Sequence, residues 1–484
     1  MGYNNMMTST VNTNGIRRIA VAISGGVDSS VAAYLVKRSA SNHNHELMGL
    51  HMSNWNTSDE DSHGNFCEQS ERDARDANDV CDSLGIEMHK VEFISEYWNG
   101  VFEPFVNALE NQRMMNPDVG CNSIVKFGAM REYSMNKLGC DYIATGHYAR
   151  LWHRNKVESE DNDILMSINR SLIEEHVVDL PEEEWIFSWG NDDKSCDAAP
   201  LLLSGADLTK DQSYFLCGVK GSSLSNFIFP LGELQKKNQR DILCSSDNHI
   251  GDIHNENWTE MSVRDIARSA KLPTASKKES MGICFIGKRN FSEFISQYLP
   301  HEPEPGNFID IDTGEIVGKH KGSTHYTIGQ GAKISGASRK WFISKKDMEG
   351  NIFVCDNTHH PSLYSNELYI QENDFNWIAG ELPLPIREGK SIPAQCRTRH
   401  LQPLIPCIVS LEDSFVQIKF DRPIRSITPG QAAVLYVGNG LICVGGGQIW
   451  THGPTYHDLG VDLPITLHPA GNNDTSVNQR TNKI

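Results

Sequence analysis

Apolar residues along the first half of the chain follow two alternating rhythms. The β-branched run Ile19, Val21, Ile23 reads as a buried strand, and similar short runs recur at Leu47–Met52, Ile86–Phe93 and Asp141–Tyr148. Between them the apolar positions recur every three or four residues. Val31–Val36 opens a first helix, Glu71–Leu84 is an amphipathic second one closed by Gly85, and Tyr97–Leu109 carries Trp98, Val101, Phe102 and Phe105 on one face. Ser123–Leu138 reads as a fourth helix. Strand and helix in turn predict an α/β fold built on a doubly wound parallel sheet.

The rhythm then fails over residues 151–200, which are acidic, contain Pro181-Glu-Glu-Glu184, and read as a solvated insertion. Order resumes at Lys210-Asp-Gln-Ser-Tyr-Phe-Leu216, a polar triad opening an aromatic helix, and Ile228–Gly232 closes that region. Residues 233–272 read as helical with a polar break at 245–258, and Lys277–Gly287 returns to strand character. From about Gly306 helices give way to short strands with turns at Gly314, Gly322, Gly329 and Gly350. Alternating strands over 369–452 predict a small β-barrel. The expected domains are 16–226 with 274–290 returning to it, a small central domain over the rest of 227–368, and a C-terminal β-barrel over 369–462. Residues 1–15 and 463–484 read as tails.

Composition changes this picture in three places. No apolar run approaches the roughly 20 residues a membrane helix needs. The net charge of −18 argues against a nucleic-acid partner until its distribution is considered. Residues 151–195 hold a local −8 and 264–289 a local +5, and Arg339, Lys340, Lys345 and Lys346 add a second basic segment. Twelve cysteines lie at irregular spacing with no CxxC pair, which excludes a disulfide framework or a zinc ribbon and fits a reducing compartment. Asp59-Glu-Asp61 with His63 reads as a solvated loop rather than a metal cluster. The tail Met1–Gly15 lacks acids and fits either a flexible end or an organelle-targeting segment.

The chemistry concentrates in three stretches. Ala22-Ile-Ser-Gly-Gly-Val-Asp-Ser29 leaves the first strand and enters the first helix. Gly25 and Gly26 let the backbone approach an anion, the helix N-terminus offers N–H groups, and Ser24 and Ser29 add hydroxyls. With no lysine it is not the GxxxxGK[ST] loop, and a carboxylate such as Asp28 beside phosphates implies a shared Mg²⁺. It resembles the SGGxDS loop of the PP-loop ATP pyrophosphatases. Met52, at the end of the second strand, is the expected adenine contact. In Asn116-Pro-Asp-Val-Gly-Cys121 a thiol beside a helix start is set up for a lowered pKa, with Asp118 three residues before it. Gly146 and His147 leave the fourth strand at the sheet's carboxyl edge, where a ligand would lie. Cys284 lies in a strand-like run, and a core thiol is the plain alternative for it.

Taken in order, SGGVDSS, NPDVGCN, ATGHY, KDQSYFL, GICFIG and TPGQAAVLY resemble the tRNA-specific 2-thiouridylases from Ile16 to about Gly447, residues 151–200 excepted. The resemblance implies adenylation by ATP of wobble uridine 34 in a tRNA anticodon stem-loop. A persulfide on Cys284, loaded by an upstream sulfur-relay protein, would then donate sulfur. Cys121 would release it, ending as a disulfide with Cys284, with Asp118 as general acid or base. It further implies that Asn116, Pro117 and Asp118 meet the target base, that His147, Lys210, Asp211, Gln212, Arg399, His400 and Gln431 touch the tRNA, and that Ala22–Ser29, Met52 and Gly146 hold ATP. The family usually has Arg-Tyr where this chain has Arg399-His400. A monomer in mitochondria is expected, with plastid or cytoplasm as alternatives. A PP-loop ligase or amidotransferase acting on a small acceptor would explain the loop but neither cysteine, and a non-catalytic nucleotide-binding module would not need Ser24, Asp28 and Ser29 intact.

Overall fold

The computed structural model describes residues 16–42, 45–55, 65–153, 199–236, 261–278, 291–301, 304–347 and 349–464. Cys284, the acidic Asp59–His63 stretch, residues 1–15 and residues 465–484 lie outside the described residues, while Leu463, expected in a tail, is buried beside Leu363 and Tyr364.

Five strands form the first sheet: β1 (Arg18–Ala22), β2 (Glu46–Ser53), β3 (Glu87–Glu92), β4 (Tyr142–Ala144) and, later in the chain, β7 (Phe227–Ile228). Their order is β3-β2-β1-β4-β7 and every pairing is parallel. The strands stay parallel but the order in which they are added reverses between β1 and β4, and the crevice at that switch point, at the carboxyl edge, is where such sheets bind ligands. Helix α1 (Val27–Asn42) leaves the turn after β1, and α2 (Asn65–Leu84) follows β2. Ile19, Val21 and Ile23 pack with Ala33, Val36, Ala77 and Val80, so the β-branched run is buried as its pattern predicts.

Two helices differ from the sequence expectation. The helix expected from Tyr97 runs from Ile94 to Glu110 with a π-helical segment at Trp98–Phe102. The helix expected from Ser123 begins at Pro117, passes through a π-helical stretch at Cys121–Ala129, and ends at Asn136. Asn116 is its N-cap and Pro117 its first helical residue, where the missing N–H is harmless.

The segment assigned to a central domain from residue 227 belongs instead with the first sheet. β7 extends that sheet, and the helix Val263–Ser269 lays Val263, Ile266 and Ala267 against Val27, Val31 and Ala32 of α1. The apolar outer face of α1 requires this cover. Phe294 and Tyr298 likewise join Trp55, Trp98 and Phe102 in one aromatic cluster. The central domain proper is the sheet of β8 (Gly306–Asp310), β9 (Ile316–His320), β10 (Gly331–Ala332), β11 (Trp341–Lys346) and β12 (Ile352–Cys355).

The β-barrel is built from β13 (Tyr364–Gln371) to β20 (Thr451–His452) around one apolar core. Its strands alternate inward and outward positions, as in Ile405–Glu412, where Ile405, Cys407 and Val409 are buried and Pro406 and Ile408 exposed. It also takes two strands from the first half of the chain. β5 (Ala149–Trp152) and β6 (Leu201–Ser204) pair antiparallel, and β6 pairs with β19 (Ile442–Gln448) through Leu202–Cys443 and Leu203–Ile442. The edges of the stretch read as an insertion are therefore buried strand, because Leu151, Leu201 and Leu202 are core residues.

Trp152 and Leu201 are direct cross-strand partners, so residues 154–198 connect two positions that already touch. Replacing residues 155–195 by a short turn is expected to shift the thermal midpoint by no more than about 2 °C, since roughly 1 kcal/mol moves the midpoint of a chain this long by about 1 °C. Differential scanning fluorimetry checks this; a larger loss would mean that the replaced segment supports the fold.

Candidate active site

The turn after β1 is held in an unusual shape by its own hydroxyls. Ser29 Oγ accepts from Ser24 N at 3.1 Å and lies 3.1 Å from both Ser24 Oγ and Gly26 O. Ser30 Oγ donates to Gly26 O at 2.7 Å and accepts from Thr274 Oγ1 at 2.8 Å. Gly25 has φ 76°, and a Cβ on it would lie 2.3 Å from the Asp73 carbonyl of α2, so only glycine fits. Gly26 is a different case. Among the described residues a Cβ there would meet only Ser24 Oγ at 3.4 Å, which leaves space above the first N–H groups of α1. Such a cradle suits an anion.

Asp28 already has partners within the protein. Its Oδ1 accepts from Tyr148 OH at 2.8 Å and from the ammonium of Lys236, which is 2% exposed. Oδ2 has no hydrogen bond among the described residues and is the oxygen that fits a cation. No cluster of three His, Cys, Asp or Glu side chains that could hold a metal occurs among the described residues. A second lysine, Lys277, donates to Gly25 O at 2.8 Å and to the carboxylates of Asp73 and Asp76. Burial alone would lower its pKa, but the two carboxylates outweigh burial and hold it above the ordinary lysine value. Sequence reading missed both lysines, which lie more than 200 residues from the loop. Met52 is half-buried at the carboxyl end of β2 beside the main core cluster, where an adenine contact belongs.

The exit of β4 joins this loop to the cysteine helix. A Cβ on Gly146 would lie 2.9 Å from Ser29 N, so glycine is required here for the approach of protein backbone. His147, expected to project toward a ligand, is 8% exposed instead. Its Nδ1 lies 2.7 Å from Thr145 Oγ1 and its Nε2 3.3 Å from Asn122 Oδ1, and Phe127 and Phe229 flank the ring. Burial, with the nearby Lys126 charge, drives its pKa well below the usual histidine value, so the ring is neutral. It positions Asn122, the neighbour of Cys121.

Asn116 caps the cysteine helix by accepting from Asp118 N at 3.0 Å, a bond worth about 1 kcal/mol. Asp118 therefore occupies the first turn but is not the cap. Burial raises its carboxyl pKa, opposed by the charges of Lys126 and His400, so the protonated form is favoured relative to an exposed carboxylate. Cys121 is 4% exposed and lies a full turn inside the helix, where the macrodipole is weaker than at the expected helix start. Burial holds other described cysteines as thiols: Cys81, Cys140 and Cys355 are pushed up to about 11, and Cys217 and Cys407 to about 12.

The residues expected to touch tRNA gather along the seam between the first domain and the barrel, several of them already bonded. Asp211 is fully buried, pairs with Arg397 at 2.9 Å, and accepts from Gly205 N and Ser213 N. His400 Nε2 donates to Asp211 O at 2.8 Å, and its ring lies on Phe215, 4.3 Å between centroids. Gln212 Oε1 accepts from Tyr148 N, and Gln431 Nε2 donates to Met114 O at 2.6 Å. Arg399 is exposed while donating to Ser426 O, and Lys210 is half-buried on the same turn. Asp211, Gln212 and Gln431 thus position the seam, leaving Arg399 and Lys210 as the cations at its surface. Of the basic segment at 339–346, Arg339 pairs with Asp356 and burial lowers Lys346 to about 8, so Lys340 and Lys345 carry its exposed charge.

Residues 17–171, 191–255 and 253–288 match the family model described as a tRNA methyl transferase HUP domain. Residues 292–356 match a tRNA methyl transferase PRC-barrel domain and 365–449 an aminomethyltransferase beta-barrel domain. The mitochondrial tRNA-specific 2-thiouridylase 1 of Gallus gallus is 37% identical over 441 residues, 91% of this chain and 93% of that protein. Its counterpart in Danio rerio is 37% identical over 94% of this chain and 97% of that protein. The tRNA-specific 2-thiouridylase MnmA of Proteus mirabilis (strain HI4320) is 36% identical over 90% of this chain and 98% of that protein.

Gly26→Ala should separate ligand from fold. It is expected to leave the thermal midpoint unchanged and to weaken nucleotide binding at least about tenfold, or 1.4 kcal/mol, whereas Gly146→Ala should lower both stability and binding. Calorimetric titration with ATP checks both; wild-type affinity in Gly26→Ala would remove the phosphate assignment.

Proposed function

The chain belongs to the tRNA-specific 2-thiouridylases, and on that footing we propose that it makes 2-thiouridine at wobble position 34 of tRNA using ATP and persulfide sulfur. One observation supports this most. The open cradle at Gly26 and the Asp118–Cys121 helix turn are locked together through consecutive residues, Gly146 and His147.

The chemistry follows from what each group can do. The uridine O2 attacks the α-phosphate of ATP, pyrophosphate leaves, and C2 now bears AMP as a leaving group. Ser24, Gly26 and Ser29 bind the phosphates through N–H and O–H groups, and Met52 meets the adenine. Asp28, through the oxygen that carries no hydrogen bond among the described residues, would help to hold a Mg²⁺ ion, which would supply charge neutralisation for the phosphates. Cys284 carries the incoming sulfur as a persulfide. The Cys121 thiolate attacks the Cys284 sulfur, forming a disulfide and expelling hydrosulfide, which adds to C2 as AMP departs. A thiol reductant then restores both cysteines. Asp118, with its pKa raised by burial, takes or returns the proton at the base.

The target base must leave the anticodon stack to reach a cysteine that is 4% exposed. Asn116, Pro117 and Asp118 meet the flipped base, while Lys210 and Arg399 meet phosphates. An acidic protein can bind tRNA this way when its acids lie elsewhere on the surface. The named vertebrate relatives support mitochondria as the place of action. The persulfide would come from an upstream sulfur-relay protein.

Cys284→Ser is expected to abolish thiolation by removing the persulfide site, and Cys121→Ser to let sulfur load and then stall. Mass spectrometry of Cys121→Ser protein incubated with a sulfur donor should find the added sulfur on the peptide holding Cys284. Retained thiolation in Cys284→Ser, or added sulfur only on Cys121 in the wild type, would reverse or remove these roles.

A further inference from the structure

The phosphate loop has no lysine in its own sequence, yet two ammonium groups reach it through tertiary packing. They are not equivalent. Lys236 is 2% exposed and rests on Asp28, with Tyr148 bonded to the same carboxylate oxygen. Its charge is turned inward and answered there. Lys277 keeps 22% of its side chain exposed and bonds three acceptors: Gly25 O at 2.8 Å, Asp73 Oδ1 at 2.7 Å and the Asp76 carboxylate. An ammonium has three N–H donors, so these contacts use all of them. They bind the loop, α2 and the turn at 273–278 into one unit, at the point where Gly25 closes on the Asp73 backbone.

Nucleotide binding must disturb this unit. Phosphates seated over Gly26 bring several negative charges beside Asp73 and Asp76, and like charges at such distances repel. The Lys277 ammonium is a group that both sides attract. A lysine is a compact charge on a flexible stem, so it can change partners by rotating side-chain bonds while the backbone stays in place.

We propose that Lys277 is the pyrophosphate-binding cation of this loop, released by Asp73 and Asp76 to the phosphates when ATP binds. The inference rests on reading the loop as the ATP site. It gives the chain, through tertiary structure, the phosphate-reaching lysine that GxxxxGK[ST] loops carry in sequence. It also gives the two acids a role. Without nucleotide they hold the ammonium and keep the loop against α2, and with nucleotide they compete for it. Lysine and acid therefore affect ATP in opposite directions, whereas a tie that only braces the fold would make loss of either partner harmful.

The test is tRNA-dependent exchange of labelled pyrophosphate into ATP by the full-length protein, with KM for ATP as the readout. Lys277→Ala is expected to raise that KM at least about tenfold, a loss of 1.4 kcal/mol, and Lys277→Arg to recover most of it. Asp76→Asn is expected to lower KM, because it weakens the competitor for the ammonium. A raised KM in Asp76→Asn, or a wild-type KM in Lys277→Ala, overturns the proposal. Should Lys277→Ala fail to fold, Lys277→Gln and Asp76→Asn still give the two opposed signs. Absence of exchange in the wild type would count against adenylation itself. ATP-induced thermal shifts of the same variants would then decide the role of Lys277 separately.

Discussion

The whole site depends on one close approach of two backbones. Where β4 ends, Gly146 lies so near the first turn of α1 that even a methyl group would overlap Ser29 N. That contact fixes the height of the phosphate loop above the sheet. The next residue extends the constraint sideways, since His147 is clamped between Thr145 and Asn122 and so holds the cysteine helix. Burial keeps the imidazole neutral, and only the neutral ring can accept at one nitrogen and donate at the other. Two consecutive residues thereby set the separation between the turn after β1 and the helix that carries Cys121.

A second constraint closes the site from the barrel side. The buried Asp211–Arg397 pair, the bond from Gln431 to Met114 and the pairing of β6 with β19 all cross the seam. Arg113 adds its guanidinium over the Trp450 ring, 3.8 Å from the centroid. Removing one member of a buried ion pair leaves an unpaired charge and costs about 3–5 kcal/mol, so this seam is built to one geometry. Met114 precedes the Asn116 cap by two residues, and the barrel therefore sets where the cysteine helix begins. Sulfur transfer to a base on a large RNA gains from such rigidity, because substrate and thiol must meet within bonding distance.

Features determined by near neighbours were legible in the sequence. The loop from Ser24 to Ser29, the parallel strands and the late β-rich half follow from local periodicity and glycine placement. The cysteine helix was legible too but was expected from Ser123, whereas Asn116 caps it and Pro117 begins it. What stayed hidden depends on distant pairing. Lys236 and Lys277 reach the loop only because the Val263–Ser269 region folds back over α1, and nothing near Asp28 announces them. His147 and Gln431 lie in motifs that point to ligand contact, yet each is bonded within the protein, because a polar side chain buried at a seam must find a partner there. β5 and β6 were obscured by the acidic stretch between them, whose composition masks two short apolar runs at its ends.

The account holds that one site couples adenylation of a tRNA uridine to sulfur transfer. Its most direct test is a stoichiometric assay with unmodified tRNA, ATP and a persulfide donor, measuring 2-thiouridine at position 34 alongside the nucleotide products. The account predicts one AMP and one pyrophosphate for each 2-thiouridine formed, with neither product without tRNA. Release of ADP and phosphate, or thiolation that proceeds without ATP, would contradict it.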